Sequence, residues 1–423
     1  MKKLLLATLV AAASIGAAQA DGPSVYGKIN VSVDNTKSDL NENRVTTVDS
    51  NASRFGIKGN EKLTDNLSAV YGIEWGVSID NNSNSSSNST KAGINNNTDT
   101  GATGGTFDLS ARNRFIGLQY EGLGTLKFGR LDTNVKTLQY VNPAQGVDVA
   151  DDFVNGTFDS TQTFAGENRI NNVIALESAK FDTGYGVFSA NFLVSPSEKT
   201  DSKNPTDPSY AAKTGSTATS TSVIYANKDV GLYTGVAYDV NVSSIWNAGN
   251  TFAYATKAPS TSVNNPFASA SNPTDLFRWV GSADLGKLAG IDGVTLNGLY
   301  QQAKLSDKVA AKFGNTSPKE NAYLVSAIYK FPASILDGLS AKAQWESATT
   351  KSLGNNIADV KIDQVTVDLD YAFSAKTKVY GFWAQRTFKN PNNVGTIATP
   401  LPNAGQDSNY KYQGFGLGLE QKF

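Results

Sequence analysis

The chain contains no cysteine and no histidine, and its one methionine is the initiator. Disulfides are therefore absent, which an exported domain of this size can tolerate. The missing histidine excludes more: Ser-His-Asp hydrolysis, His-containing zinc sites and imidazole acid-base catalysis all go together. Positive charge is not in excess either, since 37 Lys and Arg stand against 38 Asp and Glu, so the basic bias that nucleic-acid binding needs is lacking. Long apolar runs are also missing. The N-terminal MKKLLLATLVAAASIGAAQA has Lys2 and Lys3, a short apolar stretch from Leu4, and a small-residue site at Ala18-Gln19-Ala20. That pattern is an export signal, expected to occupy residues 1–20 and to leave a single domain from Asp21 to Phe423. Its apolar core falls short of the ~20 residues of a spanning helix. No other stretch could cross a bilayer as a helix, so any membrane insertion must use strands closed on themselves.

What the chain does have is alternation. In LSAVYGIEWGVSI, residues 67 to 79, Leu67, Ala69, Tyr71, Ile73, Trp75, Val77 and Ile79 share one parity, and Glu74 lies on the other. A strand places the two sets on opposite faces. In VDLDYAF, Val367, Leu369, Tyr371 and Phe373 oppose Asp368 and Asp370, and in AYLVSAIYKF, Tyr323, Val325, Ala327, Tyr329 and Phe331 fall together. A charge turned toward mid-bilayer lipid costs about 2–4 kcal/mol for Arg or Lys and somewhat less for Asp or Glu. The carboxylates are thus expected to face water inside a barrel, with the apolar parity outside. Trp75, Trp345, Trp383 and Phe331 read as strand-end residues of an interfacial girdle.

Between the alternating segments, long and short connections take turns. Long polar ones run near 34 to 51, 80 to 106, 132 to 168, 195 to 220, 243 to 275, 306 to 321, 350 to 362 and 389 to 411. Short ones fall near 59 to 66, 121 to 124, 182 to 186, 227 to 231, 286 to 292, 332 to 338 and 374 to 377. Together they define sixteen strands with both chain ends on the short-turn side, the even count of a bacterial outer-membrane barrel. A soluble sandwich has no reason to segregate its long loops in this way. Phe252 and Tyr254 alternate with small residues in the fifth long connection, so an eighteen-stranded count stays open. The Asn-x-Ser/Thr triplets of residues 81 to 105 arise from an Asn/Ser-rich composition and carry no weight.

Charges on inward parities make a constriction the chemistry to look for. Lys28 is opposed by Ile29 and Val31, Arg54 by Phe55 and Ile57, and Arg169 by Ile170 and Ile174. Arg112 and Arg114 both oppose Phe115, although Ile116 and Leu118 share their parity. The longest connection holds Asp148, Asp151 and Asp152, which would face the basic wall if that loop folds inward, giving a transverse field across an aqueous gap. Their D-x-x-D-D spacing lacks the ligand ladder of a calcium loop.

The sequence resembles the Gram-negative general porins, a trimeric outer-membrane family. VYGKINV at 25 to 31 is similar to the family's first strand, SRFGIKGNEKL at 53 to 63 to its second, and RNRFIGLQYEGLGTLKFGRLDT at 112 to 133 to the hairpin that leads into its constriction loop. The C-terminal GFGLGLEQKF, with Phe415, Leu417, Leu419 and Phe423 on one parity, resembles the strand read by the barrel assembly machinery. The resemblance implies a transmembrane antiparallel up-and-down barrel of sixteen strands, an inward-folded third loop at 133 to 168, and a basic wall at Lys28, Arg54, Arg112 and Arg169. It also implies a homotrimer without cofactors, set in outer-membrane lipid and lipopolysaccharide. One departure stands out: where many members have Pro-Glu-Phe-Gly at the loop tip, this chain has PAQG, with Ala144 in the glutamate's place. The acidic side is then expected to rest on Asp148, Asp151 and Asp152. The expected activity is passive diffusion of ions and small hydrophilic solutes. The rival readings are an eighteen-stranded substrate-selective channel, a plugged barrel acting as an adhesin, and a barrel enzyme, for which no convergent constellation is visible.

Overall fold

The computed structural model describes residues 22–39, 43–79, 109–139, 158, 163–166, 168–196, 217–244, 272–305, 319–351, 359–389 and 410–423. The expected export signal lies outside them. The alternating segments become one antiparallel sheet whose first members are β1 (Ser24–Ser38), β2 (Val45–Ser50), β3 (Arg54–Lys62), β4 (Leu67–Val77), β5 (Leu109–Tyr120) and β6 (Gly124–Asp132). A five-residue helix, α1 (Asn134–Leu138), follows β6. Then come β7 (Arg169–Ser178), β8 (Phe181–Asp182), β9 (Val187–Ser195), β10 (Ala218–Asn227), β11 (Leu232–Ser244) and β12 (Asn272–Asp284). The last third comprises α2 (Leu285–Ala289), β13 (Val294–Leu305), β14 (Lys319–Lys330), α3 (Ala333–Leu336), β15 (Leu339–Lys351), β16 (Val360–Ala372), β17 (Thr377–Lys389) and β18 (Tyr410–Lys422).

Each strand pairs with its sequence neighbours, and β1 pairs with β18, which closes the ring. β2 and β3 both run along β1 and are one stave broken at Asn51-Ala52-Ser53, while β7 and β8 both run along β9. The eighteen segments therefore build sixteen staves. β11 pairs directly with β12, with Val242 opposite Thr274, so no further stave lies between them and the eighteen-stranded count is overturned. The first long connection is shorter than the expected 34 to 51: Asp34, Asn35 and Thr36 still pair with Thr47, Thr46 and Val45. Polar residues on both faces read as loop in the sequence, yet a stave that rises beyond the lipid needs no apolar face.

The wall is inside out relative to a soluble protein. Leu417 is 71% exposed and Ile116 64%, whereas Arg278 and Glu346 are fully enclosed. Such a continuous apolar outer surface is what a barrel wall set in lipid presents. Its upper edge is aromatic: Phe277, Tyr300, Tyr323, Trp345, Trp383 and Phe415 are each the last large apolar residue on their outward face before the residues turn polar. Trp345 and Trp383 thus lie mid-strand rather than at strand ends, because β15 and β17 continue upward past the apolar band. The lower edge carries Tyr329 with Phe331, and Tyr371 with Phe373, each pair in edge-to-face contact. Eight residues from Tyr323 to Phe331 span roughly 26 Å of strand, or about 20 Å along a tilted barrel axis, a fair match to the ~25 Å apolar band of such proteins. Leu417→Arg, placed within this band, is expected to lower stability by about 2–4 kcal/mol in urea titrations in phospholipid vesicles, whereas Gln413→Arg above the band should leave it within about 0.5 kcal/mol.

Candidate functional site

The lumen has two unlike halves. On one, from β15 through β18 to β7, ionised side chains form a belt across neighbouring staves. Glu74 of β4 is its best-connected member: its carboxylate accepts from Arg112 Nε at 2.5 Å and from Tyr26 Oη at 3.1 Å, and pairs with Arg54 Nε at 3.9 Å. Further round, Arg169 pairs with Asp132 at 2.9 Å and donates from Nε to Asn113 Oδ1 at 2.9 Å, while Lys136 reaches Asp132 at 3.6 Å. In the other direction Lys28 meets Glu420 at 3.4 Å. Beyond it, Asp370 is held between Lys342 and Lys378. Asp368 and Asp370 are buried and inward, as their parity predicts.

A β-bulge decides which arginine of β5 joins this belt. Trp75 pairs with Ala111 and Ile73 with Arg114, so two residues, Arg112 and Asn113, face Glu74 alone. The extra residue resets the parity. Arg112 points into the lumen, while Arg114 lies on the outer face in register with Ile73, its guanidinium 5.8 Å over the Trp75 ring. The expectation that Arg114 lines the pore is therefore corrected; the period-two reading holds only within an unbroken ladder.

The inner wall from β10 to β16 is covered by the connection after β6, which on β15 and β16 meets Glu346 and Gln364, above Lys342 and Asp370 of the belt. Thr133 caps α1, accepting from the Lys136 amide, and Asn134 donates from its backbone N and its Nδ2 to Ser220 Oγ and O at 2.7 and 2.8 Å. Val135 and Leu138 are fully buried, against an apolar patch on the lumen side that includes Tyr233, Val280 and Leu299. The clip is Arg278 of β12. Its guanidinium donates to the carbonyls of Val135 and Ala165, to Gln139 Oε1 and to Gln301 Oε1, all at 2.7–3.0 Å, and stacks 5.5 Å over Phe164. One side chain thus holds both the departing and the returning arm of the connection. Glu320 accepts from the Ala165 amide at 3.0 Å, and Thr163 Oγ1 donates to Glu346 at 2.7 Å. Gly166, at φ +112°, lies so close to Arg278 and Leu276 that a Cβ would displace them.

A third anchor is aromatic. Phe158 is buried among Tyr380, Phe382 and Tyr412, and its carbonyl accepts from Gln364 Nε2 at 2.6 Å. These rings fit because the lumen face of β18 carries glycine at 414, 416 and 418, against which Phe158, Phe382 and Tyr380 respectively lie. The described parts of the third connection are therefore inside the barrel. Asp148, Asp151 and Asp152 fall outside the described residues, as do the Asn/Ser-rich tract and the PAQG stretch.

Of the cations singled out from sequence, Lys28, Arg54, Arg112 and Arg169 all lie on the belt, each beside a carboxylate. Phe415, Leu417 and Leu419 share the outer face, and Phe423 pairs its backbone with Gly27 at 3.1 Å. Arg278, Glu320, Glu346 and Gln301, which seat the third connection, escaped the sequence reading. A signal for them exists: in β14, Ala322, Leu324 and Ile328 make the inward parity apolar as well, the pattern of a strand covered on both faces.

Comparison with known proteins agrees with this architecture. The major outer membrane protein P.IB of Neisseria sicca is 34% identical over 143 residues, covering 32% of this chain and 33% of that protein, so the chain aligns with about a third of the curated relative's length. An anion-selective porin from Comamonas acidovorans has a similar structure, with a TM-score of 0.58 at 18% identity over 95% of this chain and 100% of that one. So does OmpT of Vibrio cholerae in its trimer form, with a TM-score of 0.52 at 14% identity over 96% and 100%. The family model described as Gram-negative porin matches residues 6–391, and with a closed barrel, an aqueous charged lumen and an inward connection in place, the chain belongs to the Gram-negative porin family.

Proposed function

We propose that the protein is a passive diffusion channel of the bacterial outer membrane, passing ions and small hydrophilic solutes without catalysis or cofactor. The observation that carries this reading is the division of the inner wall: one arc carries the ion pairs of Arg54, Arg112 and Arg169 with Glu74 and Asp132, and the arc across from it is covered by the described parts of the third connection, which narrow the bore. Solutes are sorted by size first, then by the field between Lys28, Arg54, Arg112 and Arg169 on the wall and Asp148, Asp151 and Asp152 on the connection. Residues 1–20 serve as the cleaved export signal, and Phe415, Leu417, Leu419 and Phe423 as the signal to the assembly machinery. A homotrimer in outer-membrane lipid and lipopolysaccharide is the working state, in keeping with the trimer form of the Vibrio cholerae relative.

The test is a planar-bilayer recording of the purified protein under a salt gradient. Stepwise, ohmic conductance, with insertions resolving into three equal sublevels, is expected. A silent bilayer with protein demonstrably inserted would instead make this a plugged barrel and favour an adhesive or structural role.

A further inference from the structure

On the periplasmic side of the charge belt, two aromatic rings lean toward each other across β3 and β4. Tyr26 of β1 lies against Gly56 of β3 with its hydroxyl donating to Glu74 of β4, and Phe115 of β5 lies against Gly72 of β4 on the side of Lys58. The register makes the pattern a checkerboard: Gly56 pairs with Glu74, and Lys58 with Gly72 in the next inward row. Both rings need the bare backbone beneath them. A Cβ at Gly56 would come within 2.6 Å of Tyr26, and one at Gly72 within 2.8 Å of Phe115. Phe115 faces the lumen because the bulge in β5 resets its parity, the same step that puts Arg114 outside.

Each ring carries a lysine. Lys58 Nζ stands 5.1 Å from the centre of the Tyr26 ring, and Lys127 Nζ 4.6 Å from that of Phe115. Lys127 also pairs with Glu177 at 2.6 Å, whereas Lys58 is exposed and meets no carboxylate among the described residues. Around the rings stand Arg54, Arg112, Lys58 and Lys127 against Glu74 and Glu177, an excess of positive charge that draws anions and turns cations away. An ammonium over a ring is held loosely. A carboxylate offers Lys58 a stronger, charge-assisted bond, and Glu177 already offers one to Lys127. With both ammoniums drawn aside, the half-buried rings of Tyr26 and Phe115 are open for stacking. An aliphatic anion would use the cations and leave the rings wet, and a neutral sugar would use the rings and leave the cations idle. A flat ring bearing a carboxylate uses both.

We propose that Tyr26, Lys58, Phe115 and Lys127 form a binding site in the bore for small aromatic carboxylates. This deepens the diffusion-channel reading and rests on it. Lys58, the less engaged of the two lysines, holds the carboxylate, while Lys127 withdraws to Glu177 and leaves its face of Phe115 to the ring of the solute. The site lies below Arg54 and Arg112, so a solute that has passed the belt meets it next, and its stay in the bore is lengthened before release to the periplasm.

The test uses the intact protein in nonionic detergent and saturation-transfer difference NMR, with benzoate, cyclohexanecarboxylate and benzyl alcohol titrated in turn. Benzoate should bind at least fivefold more tightly than either of the others. Phe115→Leu should erase its advantage over cyclohexanecarboxylate, and Phe115→Tyr should restore it. Lys58→Gln should erase its advantage over benzyl alcohol. Folding of each variant is read from its heat-modifiable mobility on gels, and the three-probe comparison on the native protein needs no variant at all. Equal binding of benzoate and cyclohexanecarboxylate, equal binding of benzoate and benzyl alcohol, or an undiminished benzoate advantage in folded Phe115→Leu or Lys58→Gln would each overturn the proposal. Bilayer conductance without solute is recorded in parallel. A silent bilayer with the benzoate preference intact counts against the channel reading, whereas ohmic conductance with no preference among the probes counts against the site.

Discussion

Arg278→Met is expected to widen the channel, raising single-channel conductance and current noise and letting larger neutral solutes through. The guanidinium is fully buried and satisfies two backbone carbonyls and two side-chain amides, joining both arms of the third connection to β12. Methionine fills much of the volume but supplies no donor. The carbonyls of Val135 and Ala165 then lose their charge-assisted bonds inside a low-dielectric seat, a loss of about 3–5 kcal/mol for a broken buried charged network. That exceeds what α1, five residues long, supplies by itself; the arms, left to Ser220, Glu320, Glu346 and the Phe158 anchor, loosen from the wall while the barrel, held by its ladders, persists. Arg278→Lys keeps the charge but cannot span four acceptors, and should show an intermediate conductance. If the methionine variant matches the native conductance, noise and solute limit, Arg278 is not what holds the connection against the wall.

The second large effect is electrostatic and comes as a pair of opposite sign. Glu74→Gln leaves Arg54 and Arg112 facing the lumen without their shared carboxylate and should shift reversal potentials toward anion preference. Replacing both arginines by glutamine leaves Glu74 with only Tyr26 and should shift them toward cations. A unit charge about 4 Å from a passing ion is worth about 1 kcal/mol in water and more beside low-dielectric walls; at the lower figure the one charge altered by Glu74→Gln changes the permeability ratio about fivefold, and the two charges removed with the arginines change it about thirtyfold. Opposite displacements under one salt gradient place the cluster on the permeation path. Displacements of the same sign, or none, would remove it from that path whatever the barrel's other properties.

Much of this architecture is readable in the one-dimensional pattern, because a wall one residue thick translates parity directly into side. Lys28, Glu74, Asp368 and Asp370 face inward for no other reason than their place in an alternating segment. The reading fails where the translation is interrupted or incomplete. At Arg114 an inserted residue inverts the rule, and nothing in ARNRFIGLQY marks the bulge except the coincidence that Ile116 and Leu118 share its parity. Trp345 and Trp383 were misplaced along the axis because parity carries no information about height. Arg278 escapes a local reading because its partners on the third connection lie 113 to 143 residues away in the chain, beyond the reach of any local pattern.

The bare stripe of glycines on β18 has a consequence for how the ring can be shut. A cylinder of hydrogen-bonded ribbons must receive some member last, between two edges already in position, and any side chain that member carries inward must pass whatever already fills the bore. Here the ribbon at the seam with β1 presents almost nothing on that side at 414, 416 and 418, while Tyr380, Phe382 and Phe158 supply the missing bulk from other segments. The seam is smooth and its mortar belongs to other blocks, so a single methyl at Gly416, where Asp34 and Phe382 already crowd the space, would obstruct the joint.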